Sequence, residues 1–260
     1  KLLIQEKIKS TKFISPHLID FKERIESTSD QHFIDAFVEV KKFEEKAKLN
    51  LGYFEALFLM SSKVFLLNND QFFICEAGIG GKLDSTSIIQ SENVVLTNIG
   101  YDHQELLGES LLEILDQKIN ISQSIKSLYV GELDKNLTSN LHILNKNIQE
   151  VHYSNVIADK LNLDFDVLSY IQKNALLALL VLEKILNYKH TVSIEDTDFE
   201  QPGRFEIINY NPLKIIDGAH NVSGLMTTLK DYTKKFNSEP IDVDRKSTRL
   251  NSSHVRTSRM

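Results

Sequence analysis

Residues 72–84 read FFICEAGIGGKLD, so four apolar residues precede an acidic residue and a loop with three glycines. The apolar run follows polar Gln71 and predicts a buried strand of a parallel sheet. Glu76 would then lie at the carboxyl end of that strand, where open α/β sheets bind their ligands. The glycines allow the backbone to approach a ligand closely. The alternative interpretation is a strand followed by a turn, with Glu76 simply in solvent.

A second stretch, residues 93–103, repeats the order of apolar strand, glycine and polar residues. If the two strands run the same way in one sheet, Glu76 and His103 emerge at the same rim. A carboxylate and an imidazole that converge there suit a divalent cation. Taken alone, His103 is more typical of a hydrogen-bonded loop histidine than of a metal ligand.

The composition is that of an ordinary globular protein, with 42% apolar and 25% charged residues. A chain of 260 residues can form one large domain, or one domain and part of a second. The net charge of −6 argues against a nucleic-acid binder, and no apolar stretch suits a bilayer, so neither nucleic acid nor a membrane is an expected partner. The single cysteine, Cys75, excludes a disulfide framework, and no secretory signal opens the chain. A reducing cytoplasm is the expected location.

The rest of the chain alternates helical and extended patterns. Helices are predicted over residues 1–9, 27–48, 53–68, 110–126, 134–146, 168–186 and from 221 toward 235. Further strands are predicted over residues 12–14, 127–130, 150–153, 205–209 and from 213. Strands separated by helices indicate βαβ units, and hence an α/β fold with a mostly parallel sheet flanked by helices.

Three positions have both a simple and a functional interpretation. Ser15 stands beside Pro16 in a predicted loop, where turn chemistry alone would explain it. Lys118 is offset from the apolar line of its predicted helix, as solvated lysines commonly are. The last predicted helix begins after Asn221 beside a strand end, and a helix start in such a place can bind an anion.

Six short motifs, taken in this order, resemble those of the bifunctional folylpolyglutamate synthase/dihydrofolate synthase family of the Mur ligase group. They are SPHL at 15–18, YFE at 53–55, EAGIGGKLD at 76–84, DH at 102–103, PGRFE at 202–206 and DGAHN at 217–221. The resemblance covers about residues 1–231. It implies the central ATPase-like domain of that group over 1–200, and the start of a second, Rossmann-like α/β domain, which binds glutamate in the family, over 201–244.

The resemblance implies an ATP-dependent amide ligase of folate biosynthesis. Such an enzyme activates the carboxylate of dihydropteroate or of a folate as an acyl phosphate, and the amine of L-glutamate then displaces the phosphate. The implied small-molecule partners are ATP as co-substrate, the pterin substrate and glutamate, with Mg²⁺ as cofactor, and a monomer is expected. A cell-wall Mur ligase and a non-catalytic protein of the same fold are the alternatives.

The family's functional residues map onto positions that match its motifs. The residues that correspond to its metal ligands are Ser15, Glu76, His103 and Lys118. Lys118 would be carbamoylated, which turns a cation into a carboxylate, and it is assigned with His220 as catalytic. The residues that match the family's ATP contacts are Asn174, Arg204 and Asp217. The pterin-contacting segments correspond to Gly52, Tyr53, Phe54 and Glu55, and to Leu83, Asp84 and Ser85.

Some features depart from the family pattern. Ile14 precedes Ser15 where the family has Thr or Ser, and QKIN surrounds Lys118 where the family has EKAG. The family's phosphate-binding loop, GTNGKGS, is not among these residues, so the polypeptide as written is expected not to turn over, and truncation at both ends is expected.

The last segment, residues 245–260, has five basic residues and no acidic one. A basic tail for nucleic acid or a membrane surface is one interpretation. Its sequence instead resembles a translated cloning adapter, and it is left out of the fold prediction. Without its five positive charges the net charge falls from −6 to −11.

Overall fold

The computed structural model describes residues 2–5, 7–26, 29–187, 199, 201–236 and 241–243. Most of the predicted polar segment 193–201 and all of the predicted adapter-like tail 245–260 lie outside the described residues. The described residues form two compact units. One unit draws them from Lys1–Val94, Leu115–Lys126 and Ser139–Gln149, and the other from Val95–Ile114, Ser127–Thr138 and Glu150–Met260. The predicted domain boundary between residues 200 and 201 stays a prediction.

Nine α-helices are present among the described residues. They are α1 (Leu2–Gln5), α2 (Asp30–Ala47), α3 (Tyr53–Asn68), α4 (Gln104–Leu107), α5 (Leu111–Ile119), α6 (Lys135–Leu144), α7 (Asn155–Lys160), α8 (Tyr170–Leu186) and α9 (Val222–Phe236). The same residues contain eight strands: β1 (Ser10–Phe13), β2 (Ile25–Glu26), β3 (Phe72–Cys75), β4 (Asn93–Asn98), β5 (Ser127–Glu132), β6 (Glu150–Tyr153), β7 (Glu206–Tyr210) and β8 (Leu213–Ile216).

The strands form three small sheets. In the first unit β1 is central, with β3 parallel to it on one side and β2 antiparallel on the other. A second sheet has the order β4-β5-β6, and β5 and β6 are parallel. The strands β7 and β8 form an antiparallel pair. The predicted α/β fold, with parallel strands and flanking helices, is confirmed.

The core of the first unit lies where β1 meets α2 and α3. The ring of Phe13 on β1 is fully buried, and its centroid lies 5.2 Å from that of Phe54 and 5.8 Å from that of Phe58 on α3. The predicted burial of α3 is confirmed at Leu57 and Val64, among others. Each such side chain contributes about 1.5–3 kcal/mol by leaving water.

Capping residues explain where α2 and α3 begin and end. The side chain of Ser29 accepts the N–H of His32 at the start of α2, and α2 ends at Lys48 in the left-handed conformation. Gly52 precedes α3, and Asn69 ends it with φ +52°. Asparagine tolerates that conformation better than most residues, so the chain can turn sharply there into β3.

The predicted helix over 110–126 is too long. Helix α5 ends at Ile119, because the carbonyl of Ile119 accepts a hydrogen bond from Nδ2 of the buried Asn145 at 2.9 Å. The side chain of Asn120 donates to the carbonyl and the carboxylate of Asp116. Polar side chains thus bind the last carbonyls of α5 and replace a further helical turn.

The predicted full burial of residues 72–75 is also wrong. The strand itself has the predicted bounds, but Ile74 is 43% exposed and its neighbours in β3 are only partly buried. The reason is that, in the part of the chain that the structure describes, β3 lies at the edge of its sheet and pairs only with β1. An apolar run therefore located the strand correctly without showing how many of its faces are covered.

The second unit packs α8 against β5. Leu128 and Val130 on β5 and Leu176 and Leu179 on α8 are all fully buried. Six short elements were not predicted, because two to six residues are too few to show a period: α4, α7, β2 and the 3₁₀ turns at Phe21–Arg24, Ser85–Ile88 and Phe165–Val167. Within the described residues, no helix combines the length and the apolar character needed to cross a membrane.

Candidate active site

Ser15 and Glu76 lie together just beyond the carboxyl ends of two neighbouring parallel strands. Ser15 follows β1 and Glu76 follows β3, and the register pairs Phe13 with Cys75. The backbone N–H of Ser15 donates to Oε2 of Glu76 at 2.8 Å, and the N–H of Glu76 donates to the carbonyl of Phe13 at 2.9 Å. Two of the four predicted metal ligands, 61 positions apart in the chain, are therefore in direct contact.

Asp84 closes the glycine loop that follows Glu76. One oxygen of its carboxylate, Oδ2, accepts the N–H groups of Gly78 and Ile79, both at 3.0 Å. The other oxygen, Oδ1, accepts the N–H of Thr86 at 2.9 Å and its hydroxyl at 2.6 Å. With four hydrogen bonds on one carboxylate, Asp84 fixes the shape of the loop, a structural role that its position in the predicted pterin-binding segment did not reveal.

Gly81 lets the loop press against the end of α5, where Lys118 lies. A Cβ at Gly81 would be 2.6 Å from the carbonyl oxygen of Gln117 and 2.8 Å from that of Lys118. The next residue, Lys82, donates its N–H to the Gln117 carbonyl at 2.7 Å. The backbone of Lys118 is thereby fixed beside the glycine loop, and its side chain is partly buried.

The two predicted pterin-binding segments meet in the first unit. The hydroxyl of Ser85 donates to Oε1 of Glu55 at 3.3 Å. Beside this contact, Tyr53 is 58% exposed and Leu83 is 85% exposed, so each presents an apolar surface to solvent. The arrangement leaves an aromatic ring and an aliphatic side chain available to a flat ligand.

An open groove of about 490 Å³ runs beside Tyr53 and is lined by His17, Ile19, Asp20 and Phe21. Nε of Arg24 donates to Nδ1 of His17 at 2.9 Å, and the Arg24 guanidinium lies 5.4 Å from the centroid of the Tyr53 ring. Because arginine only donates, Nδ1 is the unprotonated nitrogen of His17. Arg24 thus joins the loop after β1 to the start of α3, a contact that the sequence did not predict.

Cys75 lies directly before Glu76 but is not a candidate nucleophile. Burial raises the pKa of its thiol to about 12, and the carboxylates of Asp84 and Glu76 act in the same direction. The thiol therefore stays protonated at neutral pH, and only a thiolate is strongly nucleophilic.

In the second unit, three donors surround the carboxylate of Asp217. Oδ2 accepts the N–H of Phe205 and the hydroxyl of Tyr170, both at 2.8 Å. Oδ1 accepts the N–H of Ala219 at 2.8 Å. Through these hydrogen bonds, the Asp217 carboxylate connects its own DGAHN turn to the PGRFE turn and to the start of α8.

Tyr170 is a site residue that no motif indicated. Burial raises the pKa of its phenol above the ordinary value, and the hydrogen bond to Asp217 raises it further, so the hydroxyl remains a donor at neutral pH. Its backbone N–H donates to Oδ2 of the buried Asp231 at 2.8 Å. Burial raises the pKa of the Asp231 carboxyl.

Replacement of Tyr170 by phenylalanine should lower the free energy of unfolding by about 1–2 kcal/mol, because the variant loses a hydrogen bond to a charged group. Denaturant unfolding measures the change. The control is Tyr101→Phe, since Tyr101 is about half exposed and its loss should be nearly neutral. Equal stability of the two variants would contradict the role assigned to the Tyr170 hydroxyl.

Arg204 lies across Gly218 in the same unit. Its Nη1 donates to the carbonyl of Gly203 at 3.3 Å, and a Cβ at Gly218 would overlap this nitrogen. The N–H of Gly218 donates to the same Gly203 carbonyl at 2.8 Å. Three predicted ATP-contacting or catalytic residues, Arg204, Asp217 and His220, thus lie on two turns that are bonded to each other.

Asp102 brings the His103 turn to the His220–Asn221 turn. Nδ2 of Asn221 donates to Oδ2 of Asp102 at 2.9 Å, and Nε2 of His220 lies 3.9 Å from that oxygen. Nε2 of His103 lies 3.9 Å from Oδ1. Asp102 and Asn221 stand within two of the motifs, but no role was predicted for either. An acidic residue directly before His103 was the available signal.

The remaining predicted residues are placed but not joined to these groups. Asn174 lies exposed on α8. Glu76 belongs to the first unit and His103 to the second, so their approach to one ion stays a prediction. Among the described residues, no group of three or more His, Cys, Asp or Glu side chains could hold a metal ion. The predicted metal ligands are Ser15, Glu76, His103 and Lys118. Only Glu76 and His103 are of these four residue types, so the predicted set would not form such a group.

Comparisons with known proteins support one assignment. No family model matches the sequence. The dihydrofolate synthase/folylpolyglutamate synthase of Buchnera aphidicola subsp. Schizaphis graminum is 28% identical over 250 residues, which cover 85% of this chain and 57% of that protein.

Two solved structures have the same fold. E. coli FolC in complex with DHPP and ADP aligns with a TM-score of 0.73 at 25% identity, over 90% of this chain and 61% of that one. An FPGS–AMPPCP–folate complex aligns with a TM-score of 0.74 over 92% of this chain and 68% of that one. Its 23% identity makes it a likeness of fold.

The fold is therefore that of the folylpolyglutamate synthase class of α/β proteins. The chain is similar to the dihydrofolate synthase/folylpolyglutamate synthases in sequence and in fold. It spans a little over half the length of the Buchnera protein, 57%.

Proposed function

We propose that this protein is an ATP-dependent ligase that adds L-glutamate to dihydropteroate, to folates or to both. The observation that carries the proposal is the contact between Ser15 and Glu76 at the carboxyl ends of β1 and β3, the place where sheets of this kind bind ligands. The titles of the two similar structures name ADP with DHPP, and AMPPCP with folate, as the bound molecules. These names support ATP and a pterin compound as the substrates.

The residues of the first unit fit a magnesium ion. Mg²⁺ prefers oxygen ligands, and the Ser15 hydroxyl and the Glu76 carboxylate supply them from two loops in direct contact. We propose that Ser15, Glu76, His103 and a carbamoylated Lys118 hold magnesium. When bound, the metal would neutralise charge on the phosphate groups. The close packing of Gly81 against the backbone of Lys118 supports a fixed position for that lysine.

The second unit supplies the proposed nucleotide contacts. Arg204 carries a permanent positive charge and a fork of donors suited to phosphate. Asp217 is oriented by three donors, which supports its assignment as an ATP contact with one fixed orientation. Asn174 is proposed at the adenine. His220, which lies at the turn before α9, is proposed as catalytic, as is Lys118.

The proposed pterin side is the surface formed by Gly52–Glu55 and Leu83–Ser85. The exposed faces of Tyr53 and Leu83 suit a flat aromatic ring, and the Ser85–Glu55 hydrogen bond fixes the two segments together. In the first step the substrate carboxylate attacks the terminal phosphate of ATP, so a P–O bond forms as ADP leaves. In the second step the amine of glutamate attacks the acyl carbon, and phosphate leaves with the bonding electrons.

We also propose four further features of this protein. They are the domain division at residues 200 and 201, the adapter-like origin of residues 245–260, a cytoplasmic location and a monomeric state. The negative charge of the chain without its last segment supports a protein that does not bind nucleic acid.

A direct assay tests the function. The full-length protein encoded by the gene, supplied with Mg²⁺, ATP and dihydropteroate, should release ADP only when L-glutamate is added, and mass spectrometry should detect the glutamylated product. Release of ADP with a nucleotide-linked muramyl substrate and its amino acid instead would favour the cell-wall ligase. Absence of ATP binding and of ADP release with either substrate pair would favour the non-catalytic protein.

A further inference from the structure

Asp102 is the point in the second unit where two separate turns meet. Its Oδ2 accepts a hydrogen bond from Nδ2 of Asn221 at 2.9 Å, although the two residues are 119 positions apart. Its Oδ1 accepts the backbone N–H of His103 at 3.0 Å. Nε2 of His103 and Nε2 of His220 each lie 3.9 Å from one of its oxygens. One carboxylate therefore contacts both turns that carry the candidate histidines.

Asn221 connects this carboxylate to α9. Its Oδ1 accepts the N–H of Gly224, the third residue of the helix, at 2.7 Å, which is the arrangement of a helix N-cap. Its Nδ2 donates to Asp102. Because an amide has one oxygen and one nitrogen, these two contacts fix its orientation. The carboxylate also lies near the start of a helix, where negative charge is favoured.

The backbone of Gly100 and the side chain of Ser223 approach closely at the same place. A Cβ at Gly100 would be 2.6 Å from the hydroxyl oxygen of Ser223. Gly100 stands two residues before Asp102, and Ser223 stands two residues after Asn221. The hydrogen bond between Asp102 and Asn221 is therefore part of a packed contact, and the Asp102 side chain is only 38% exposed.

We propose that Asp102 is a positioning residue for nucleotide use: it fixes the His103 turn against the His220–Asn221 turn at the start of α9. The inference rests on the proposed function, because the position of the two turns would matter in the ATP-dependent step. Asp102 acts through its neighbours and need not touch substrate.

Three variants of the full-length protein separate this role from a general loss of stability. Asp102→Asn keeps the size of the side chain and removes its charge. Asp102→Asn combined with Asn221→Asp exchanges donor and acceptor, and aspartate is as good an N-cap as asparagine. The control is Glu105→Gln, which removes an exposed carboxylate from the adjacent helix α4.

We expect Asp102→Asn to raise the KM for ATP about tenfold, the scale of one hydrogen bond to a charged group. The KM for glutamate should stay within about twofold, because the turns that Asp102 joins carry the proposed ATP contact Asp217 and no residue proposed to bind glutamate. The exchanged double variant should recover most of the loss. A role in stability alone would instead lower the amount of active protein and leave both KM values unchanged.

Thermal unfolding gives a second readout that needs no activity. Asp102→Asn and Asn221→Asp should each lower Tm, and the double variant should lose less than the sum of the two, since residues in one hydrogen bond are coupled. Equal KM values for ATP in Asp102→Asn and Glu105→Gln would overturn the inference. A double variant no better than Asp102→Asn would do the same. Failure of the wild-type protein to release ADP would instead overturn the proposed function, and the inference with it.

Discussion

Glu76→Gln should lower glutamate-dependent ADP release by about a hundredfold or more, since a bound metal contributes several kcal/mol to catalysis and each ~1.4 kcal/mol is a factor of ten. Glutamine has nearly the same shape as glutamate and keeps an oxygen that can accept the N–H of Ser15, a contact of 2.8 Å in the structure. The variant therefore removes the charge and keeps the loop. Steady-state assays of the full-length protein measure the effect as kcat/KM.

The matched control is Glu45→Gln, which removes an equal charge from an exposed position on α2. Both variants should unfold within about 0.5 kcal/mol of the wild type, as substitutions that keep shape and contacts generally do. If Glu76→Gln stays within about threefold of the control, then this carboxylate has no part in the reaction. A large loss of stability in Glu76→Gln would show that its role is structural, and the rate effect could not then be assigned to metal binding.

The sequence predicted those parts of the fold that depend on neighbouring residues. The bounds of β3 and α3 follow from apolar runs and from nearby glycine or asparagine, and the structure has them as predicted. The end of α5 could not be predicted in this way. It depends on the side chain of Asn145, which lies 26 positions beyond the carbonyl that it binds.

The same distinction applies to the site. The motifs around Ser15 and Glu76 were visible in the sequence, and the parallel pairing of β1 with β3 explains why they meet. The partners of Asp102 and the hydroxyl of Tyr170 were not predictable, because each contact joins residues that only the fold brings together. A motif identifies residues with a common function, whereas the hydrogen bonds that orient their side chains come from other parts of the chain.

Gly81 shows most directly how the site depends on contacts between distant parts of the chain. An alanine there would place its Cβ 2.6 Å from the carbonyl oxygen of Gln117 and 2.8 Å from that of Lys118. Both atoms belong to the backbone at the end of α5, so neither can rotate away as a side chain could. The strain must be relieved by a shift of the glycine loop, of the helix end, or of both, and either shift lengthens the 2.7 Å hydrogen bond from Lys82 to Gln117.

Gly81→Ala should therefore lower the free energy of unfolding by about 2–3 kcal/mol, at the upper end of the usual cost of overpacking. Because the backbone of Lys118 moves with the helix end, ligase activity should fall as well, even at temperatures where the variant is folded. Denaturant unfolding measures the first effect. The rate per folded molecule, with the folded fraction taken from circular dichroism, measures the second.

Gly224→Ala is the matched control, since the same methyl group is added at a glycine of α9. There the nearest atom is the side-chain oxygen of Asn221 at 3.1 Å, and alanine favours a helix over glycine by about 1 kcal/mol, so the two effects should nearly cancel. If Gly81→Ala proved as stable as Gly224→Ala and kept its full activity, the glycine loop could not lie against α5 as described. Equal stability with reduced activity would mean that the loop moves away at little cost, and that the position of Lys118 depends on it.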